Sequence, residues 1–119
     1  MWITKKEEIK MGRTALIKLR PRRYKKGDLV RVDSVIMHPM HTGLVKDKKT
    51  GKIIPAHYIN KVEVYYGGEL VTSIDVNASV SANPFFSFYI KADKKAPLKI
   101  VWKDNKGEVT EKTVKIKPH

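Results

Sequence analysis

The sequence has 119 residues and no cysteine. A chain without thiols forms no disulfide, holds no metal through thiolates and carries no substrate covalently on sulfur. It also lacks an apolar run near the roughly 20 residues of a membrane-spanning helix. Its first ten residues lack the apolar stretch and cleavage site of a secretory signal. We therefore expect a soluble chain that does not bind a membrane and has no export signal of its own.

Acidic residues are scarce. Twelve Asp and Glu stand against 25 Lys and Arg, which gives a net charge of +13. Such an excess attracts polyanions or an acidic protein partner. Lysine is spread along the chain, however, as on the solvated surface of a thermophile protein. Because no RNA-binding or helix-turn-helix signature is present, a basic nucleic-acid-binding module is the less favoured interpretation.

The length fits one domain, and 41% hydrophobic residues suffice for a core. Residues 1–12 are charged and mixed, so we interpret them as an N-terminal arm outside the core, with Met11 as an alternative start. Residues 13–117 are predicted to form the single domain. No segment has a sustained helical period or helix caps.

Alternation of apolar and polar residues predicts seven or eight short strands. Gly67-Gly68 predicts a two-residue hairpin between two of them. In the last strand Val109 is out of phase with Val114 and Ile116, which predicts a bulge. The clearest strands cover 13–19, 29–37, 59–66, 69–76, 85–91, 98–102 and 109–116.

Short strands at spacings of about 8 to 12 residues, separated by turn signals, are typical of a two-sheet sandwich. The first strand, flanked by charges, is expected at a sheet edge. The fold class predicted from the sequence is all-β, an immunoglobulin-like antiparallel β-sandwich of seven or eight strands.

The pattern breaks for about twenty residues after Met37, which is long for a loop in a compact domain. A polar turn at 48–51 lies between the apolar segments 43–45 and 52–54. We therefore predict a two-stranded flap that ends at Pro55.

Two kinds of chemistry are conceivable for this loop. Met37, His38, Met40 and His41, with His57, are soft and borderline ligands that suit Cu(I), so a periplasmic copper-binding sandwich is an alternative function. The simpler interpretation is that Pro39 stiffens the turn while the other side chains pack against neighbours or a partner.

A hydrolytic triad could be assembled from Ser34, His38 and either Asp33 or Asp47. The sequence has no nucleophile elbow around the serine, and its carboxylates show no spaced acid and base pair. Gly67-Gly68 is not followed by a helix, so it is no phosphate-binding loop. We therefore predict that the chain is not an enzyme.

The segment from Phe85 to Tyr89 alternates so that Phe86 and Phe88 point inward. Phe85 and Tyr89 then point outward, and an outward aromatic pair is a candidate partner surface because aromatic residues are enriched in interface cores. The alternative is that a loop covers the pair.

Five motifs occur in one order between Ala15 and Ile116, and with them the chain resembles the Z subunit of the SoxYZ sulfur-carrier complex of bacterial thiosulfate oxidation. It departs from that family at His41, where an acidic residue is expected, and in its charged first ten residues. The motifs are Met37-His38-Pro39-Met40 with Thr42-Gly43, Ile54-Pro55-Ala56-His57-Tyr58-Ile59, Tyr66-Gly67-Gly68-Glu69-Leu70-Val71, Ser81-Ala82-Asn83-Pro84-Phe85, and Trp102 before the turn 104–107.

The resemblance implies a non-catalytic immunoglobulin-like subunit without metal or cofactor. It pairs with a Y subunit that carries sulfur intermediates on a cysteine in a flexible carboxyl-terminal arm, and through it meets the other thiosulfate-oxidation enzymes. The family works in the periplasm, and the Z subunit is exported with its partner. Self-association of the isolated chain is left open. Candidate partner contacts are His38, Pro39, Met40, Thr42, Gly43, Phe85 and Tyr89.

Overall fold

The computed structural model describes residues 13–76 and 81–118. Within these ranges the chain forms seven strands and no helix. Accordingly, none of these residues belongs to a helix that could cross a membrane. The strands are β1 (Ala15–Arg20), β2 (Leu29–Ile36), β3 (Ile59–Tyr66), β4 (Glu69–Asp75), β5 (Phe85–Lys91), β6 (Ala96–Asp104) and β7 (Val109–Ile116).

The strands form two antiparallel sheets, with the orders β1-β2-β5 and β4-β3-β6-β7. The predicted all-β two-sheet sandwich is confirmed, and β1 lies at a sheet edge as expected. The predicted arm at residues 1–12 lies outside the described residues. So do residues 77–80, within the connection that leads to β5.

The core lies between the sheets and is built from alternate residues of each strand, because successive side chains of a strand point to opposite faces. On β6 the inward residues Leu98, Ile100 and Trp102 are completely buried. The inward rows predicted on β2 and β3 are also buried; they are Val30, Val32, Ile36, Val62, Val64 and Tyr66.

The hairpin between β3 and β4 turns at Gly67 and Gly68, whose φ angles are 63° and 87°. Positive φ at both central residues is the geometry of the tight hairpin turn, and glycine adopts it without a Cβ clash. The hairpin predicted at this position is confirmed.

The bulge predicted at Val109 is wrong. The pairing of β6 with β7 runs without a shift from Ala96 opposite Ile116 to Lys103 opposite Val109. Val109 looked out of phase because Thr110 takes the inward place beside it. Thr110 is buried, and its hydroxyl oxygen accepts a hydrogen bond from the Arg13 backbone N–H at 3.1 Å.

Candidate functional site

The residues between β2 and β3, 37–58, form what we term the excursion loop. Its limbs meet at single backbone bridges, His41 with His57 and Lys46 with Ile53. The predicted flap is therefore present as two limbs that touch at isolated points and do not pair as regular strands.

Asn83 holds the first limb where it leaves β2. The His38 backbone N–H donates to Oδ1 of Asn83 at 2.9 Å, and the Asn83 N–H donates to the His38 carbonyl at 2.7 Å. Asn83 has a φ of 51°, in the left-handed region that asparagine tolerates better than most residues. The two bonds tie the loop to the segment that enters β5.

Asn105, in the turn between β6 and β7, holds the second limb where it returns to β3. The Tyr58 N–H donates to Oδ1 of Asn105 at 2.8 Å, and the Asn105 N–H donates to the Tyr58 carbonyl at 3.0 Å. The Asn105 side-chain amide also donates to the Ala56 carbonyl at 2.9 Å. Both ends of the excursion loop are therefore held by asparagines that are distant in sequence.

Between these two anchors, His38 and His57 converge on Asp104. Nε2 of His38 lies 3.2 Å and Nε2 of His57 lies 2.8 Å from the same carboxylate oxygen, Oδ2 of Asp104. The imidazole rings meet edge to face, with centroids 4.4 Å apart. The side chains of His38 and Asp104 are completely buried. We term these three residues the Asp104 cluster.

The other oxygen of Asp104 organises the β6–β7 turn. Oδ1 accepts the backbone N–H of Lys106 at 3.0 Å and that of Glu108 at 2.8 Å. Burial alone would raise the pKa of the carboxyl, but the hydrogen bonds from Glu108, His57, His38 and Lys106 together lower it to about 2. Asp104 is therefore a carboxylate anion, and both of its oxygens accept hydrogen bonds.

The tautomer of His38 follows from its second ring nitrogen. The Met40 backbone N–H donates to Nδ1 of His38 at 3.1 Å. Since Nδ1 is an acceptor, the proton of the neutral ring is on Nε2, which donates to Asp104. Burial lowers the pKa of His38, and the nearby positive charge of Arg13 adds to this against the raising effect of the hydrogen bond to Asp104. His38 is thus a neutral donor at physiological pH.

Met40 supports this arrangement from inside the protein. Its φ is 54°, its side chain is buried, and its sulfur accepts the Ile59 backbone N–H at 3.2 Å. The sulfur of Met40 is thereby committed to the start of β3, while Met37 is partly exposed at 42%.

A metal centre is the other interpretation of this cluster. One potential ligand atom from each of His38, His57, Asp104 and Glu108 lies within 4.8 Å of the others. A cation at Nε2 of His38 would require the proton to move to Nδ1, where it would oppose the N–H of Met40. Glu108 is also paired with the guanidinium of Arg13. The contacts favour a hydrogen-bonded clamp over a metal centre.

The copper ligands considered from the sequence are only partly brought together. His38 and His57 meet, whereas Met37 is exposed and Met40 bonds a backbone N–H. His41 contributes its backbone, which exchanges two hydrogen bonds with that of His57 at 2.6 and 2.9 Å.

The residues of the conceivable triad are not assembled either. The Ser34 hydroxyl donates to the Phe86 carbonyl at 3.1 Å, and Asp33 lies on the outer face of its sheet beside Arg20. Asp47 accepts the Lys49 backbone N–H at 2.8 Å in the loop turn. The carboxylate partner of His38 is Asp104, which sequence reasoning had not selected.

The candidate partner contacts occupy two kinds of position. His38 and Met40 are buried, so their side chains shape the excursion loop from within. Gly43 is half-buried against Ala56. Pro39 and Thr42 are exposed, as are Phe85 at 63% and Tyr89 at 65%. That these residues contact a partner stays a prediction.

Sequence reasoning missed Asp104, Asn105 and Asn83 as site residues. Asp104 and Asn105 were assigned only to a turn, and Asn83 only to a motif. The available signal was the motifs themselves, since His38, His57, Asn83 and Asp104 each belong to a different segment of the resemblance. The structure brings these four segments together at one end of the sandwich.

Comparison with known proteins first gives a family. The chain matches the model of "Sulphur oxidation protein SoxZ" over residues 17–115. No curated protein matches the chain.

Solved structures share the fold at low identity. A hypothetical protein of Pyrococcus horikoshii OT3 is 24% identical, with 90% of each chain covered and a TM-score of 0.61. A superoxide reductase of Ignicoccus hospitalis is 19% identical, with 89% of this chain and 80% of that chain covered and a TM-score of 0.63. These likenesses concern the fold alone.

The sulfur carrier protein SoxY of Chlorobium limicola f thiosulfatophilum also shares the fold. It is 18% identical, with 87% of this chain and 73% of that chain covered and a TM-score of 0.58. The family model spans five of the seven strands completely and all but the outer ends of β1 and β7, and every member of the Asp104 cluster lies inside the match. On this match, the chain belongs to the SoxZ family of sulphur oxidation proteins.

Proposed function

We propose that this chain is the non-catalytic subunit of a SoxYZ complex and pairs with a SoxY-like subunit that carries sulfur intermediates on a cysteine. The observation that carries the proposal is the meeting of four family motifs in the Asp104 cluster and its two asparagine anchors. The motifs hold a long surface loop in one shape. A held loop beside a sandwich face suits recognition of another protein, since most pre-organised interfaces change little on binding.

The absence of cysteine supports the non-catalytic part of this proposal. Sulfur intermediates bound as thiol derivatives require a thiolate, which this chain cannot supply. The groups closest to acid and base chemistry are His38, His57 and Asp104. Both histidines hydrogen-bond Asp104, and all three side chains are largely buried. Their arrangement supports a structural role.

The proposal also concerns the cellular compartment of the chain. We propose that the chain works in the periplasm and reaches it by export together with its SoxY-like partner. Through that partner it would meet the other thiosulfate-oxidation enzymes. Stable pairing of two such sandwiches would bury about 800 Å² on each partner.

Co-expression with the SoxY-like subunit from the same genome tests the pairing. We expect a one-to-one complex in size-exclusion chromatography coupled to light scattering, with a Kd in the nanomolar to micromolar range measured by titration of the separate subunits. Failure of the two folded subunits to associate would reject the pairing.

A second measurement tests the non-catalytic role. In a reconstituted thiosulfate-oxidation assay, a folded complex with His57→Gln should turn over within about twofold of the wild-type rate, because a structural hydrogen bond contributes to stability and not to the chemical step. A loss of about a hundredfold or more, with the complex intact, would assign a catalytic role to the cluster.

A further inference from the structure

The outer face of the three-stranded sheet is ordered in three rows that cross β1, β2 and β5. Two strand residues separate neighbouring rows, a distance of about 7 Å. The first row is apolar, the second is centred on a carboxylate, and the third carries two arginines beside a tyrosine. The apolar row consists of Leu16, Val35 and Phe85. The carboxylate row consists of Lys18, Asp33 and Ser87, and the arginine row of Arg20, Arg31 and Tyr89. We term this surface the β1-β2-β5 face.

The apolar part of this face is open. Leu16 is 53% exposed, and Phe85 and Tyr89 are more exposed still. A groove of about 440 Å³ runs along the face, with Leu16, Val35 and Phe85 among its apolar lining residues and the side chains of Lys18, Arg20 and Arg31 among its charged ones. An apolar surface beside cationic groups fits a partner surface that presents apolar and acidic residues together.

The outer face of the four-stranded sheet is different. At the centre of that face, Val101 on β6 lies between Glu63 and Glu111 on the neighbouring strands and is only 5% exposed. Nζ of Lys103 lies 2.8 Å from a carboxylate oxygen of Glu63. The centre of that face is closed by its own charged side chains, and the exposed Leu70 of that sheet lies on the edge strand β4. An apolar row that crosses every strand of the sheet therefore distinguishes the β1-β2-β5 face.

The charged part of the face is built around Asp33. The Ser87 hydroxyl donates to Oδ1 of Asp33 at 2.7 Å, Nε of Arg20 donates to Oδ2 at 2.9 Å, and Nε of Arg31 lies 3.1 Å from Oδ1. The hydrogen bond from Ser87 lowers the pKa of Asp33, as do both arginines, against the effect of burial. Both arginines reach Asp33 through Nε, and their side chains remain 56% and 43% exposed.

Arg20 is held to Asp33 by a hydrogen bond from Nε, whereas Arg31 is ion-paired with Asp33 through Nε, and the Nη atoms make neither of these contacts. A guanidinium that is fixed at Nε still offers donors for a carboxylate of another molecule. With Lys18 in the same row as Asp33, three cations stand against one carboxylate on this face. This face is therefore positively charged, as is the whole chain with its net charge of +13.

The positive charge of this face favours an acidic partner over a second copy of the chain. A two-fold symmetric contact would place this face against itself, with the two sets of cations close together. Like charges brought together in this way oppose association. An acidic partner gains from the same charges, both in encounter rate and in pairing.

We propose that the β1-β2-β5 face docks an acidic and apolar surface of the SoxY-like subunit, with Leu16 and Phe85 as apolar contacts and Arg20 and Arg31 as receptors for carboxylates. This inference rests on the proposed function and deepens it by assigning the surface. The excursion loop lies at one end of the sandwich, and its proposed role in recognition is separate from this contact.

The test measures the Kd for the SoxY-like subunit from the same genome by calorimetric titration. Leu16→Ala and Phe85→Ala are each expected to raise the Kd about tenfold or more, as truncation of an interface anchor does. The matched control is Leu70→Ala on β4, because Leu70 is also 53% exposed. That variant should bind within about twofold of the wild type.

A charge reversal tests the acidic character of the partner surface. Lys18→Glu should weaken binding about tenfold, and more strongly at low than at high salt, while Lys115→Glu on β7 of the other sheet should change the Kd by less than about threefold. Circular dichroism and thermal melts of each variant confirm that the chain is folded.

The outcomes separate the two proposals. If the wild-type chain binds and the Leu16, Phe85 and Lys18 variants bind equally well, the assigned face is wrong and the function stands. If the folded wild-type subunits do not bind at all, the proposed function fails and the docking surface fails with it. A homodimer in sedimentation that Leu16→Ala dissociates would overturn the choice of occupant.

Discussion

His38 and Asp104 stand 66 positions apart in the chain, and Nε2 of the first lies 3.2 Å from Oδ2 of the second in the protein interior. His57 reaches the same oxygen from the other limb of the excursion loop. One carboxylate thereby joins the end of β2, the start of β3 and the turn between β6 and β7. This single acceptor therefore holds both limbs of the loop, in addition to the two asparagine anchors.

We expect Asp104→Asn to lower the free energy of unfolding by about 3 kcal/mol, because it removes the charge from a buried network. An asparagine amide at the position of Oδ2 would oppose the donor of His38, whose other nitrogen is occupied by the Met40 N–H. Urea denaturation measures the change.

Asp75→Asn is the control for that substitution. Asp75 is highly exposed and lies 3.8 Å from Lys61, so its loss should cost less than about 0.5 kcal/mol. Equal stability of the two variants would mean that Asp104 does not hold the loop.

The ring of His38 should have its proton on Nε2. Long-range proton–nitrogen NMR at neutral pH should show an unprotonated Nδ1, because that atom accepts the Met40 N–H. Addition of one equivalent of Zn²⁺ should leave the nitrogen shifts of His38 unchanged. A proton on Nδ1, or a shift at stoichiometric Zn²⁺, would instead support a metal centre formed with His57 and Glu108.

Stability should fall in acid in two steps. Folding lowers the pKa of His38 below 6.5, so the unfolded chain binds more protons as the pH drops through that value and the folded state is disfavoured. Folding also lowers the pKa of Asp104 from 3.8 to about 2. The stability that the Asp104 carboxylate contributes is therefore complete above pH 3.8 and is lost as the pH falls from 3.8 to about 2. Both effects have the same sign.

Urea denaturation between about pH 7.5 and pH 5 measures the first step. The variant His38→Gln is expected to lose overall stability and to show a flatter dependence on pH in this range. The same slope in variant and wild type would assign the acid sensitivity to other groups.

Two methionines of the loop should differ in their effect on folding. Met40→Ala is expected to cost about 3 kcal/mol, because it leaves a cavity under the loop and removes the sulfur that accepts the Ile59 N–H. Met37→Ala, at a 42% exposed position, should cost less than about 1 kcal/mol. A weaker effect at Met40 than at Met37 would contradict the inward placement of Met40.

The strands were predictable because their signal is local. The residues of β3 and β5 were bounded correctly, since alternate burial gives each strand a period of two that is visible in a few residues. Gly67-Gly68 specified its hairpin for a similar reason, as both positions require positive φ. The bulge predicted at Val109 was wrong because the prediction required an apolar residue at every inward position of β7. Thr110 occupies one of these positions, and its buried hydroxyl is hydrogen-bonded.

Residue alternation, turn glycines and composition are local properties, and they suffice for the sandwich, its inward rows, the absence of thiol chemistry and the family motifs. Which of those motifs meet follows only from the packing of the two sheets. His38 and His57 contact Asp104 because the two sheets bring both limbs of the excursion loop and the β6–β7 turn to one end of the molecule, and no local pattern encodes that proximity. The same holds for the rows on the β1-β2-β5 face, because cross-strand register is set by pairing between residues as far apart as Val35 and Phe85.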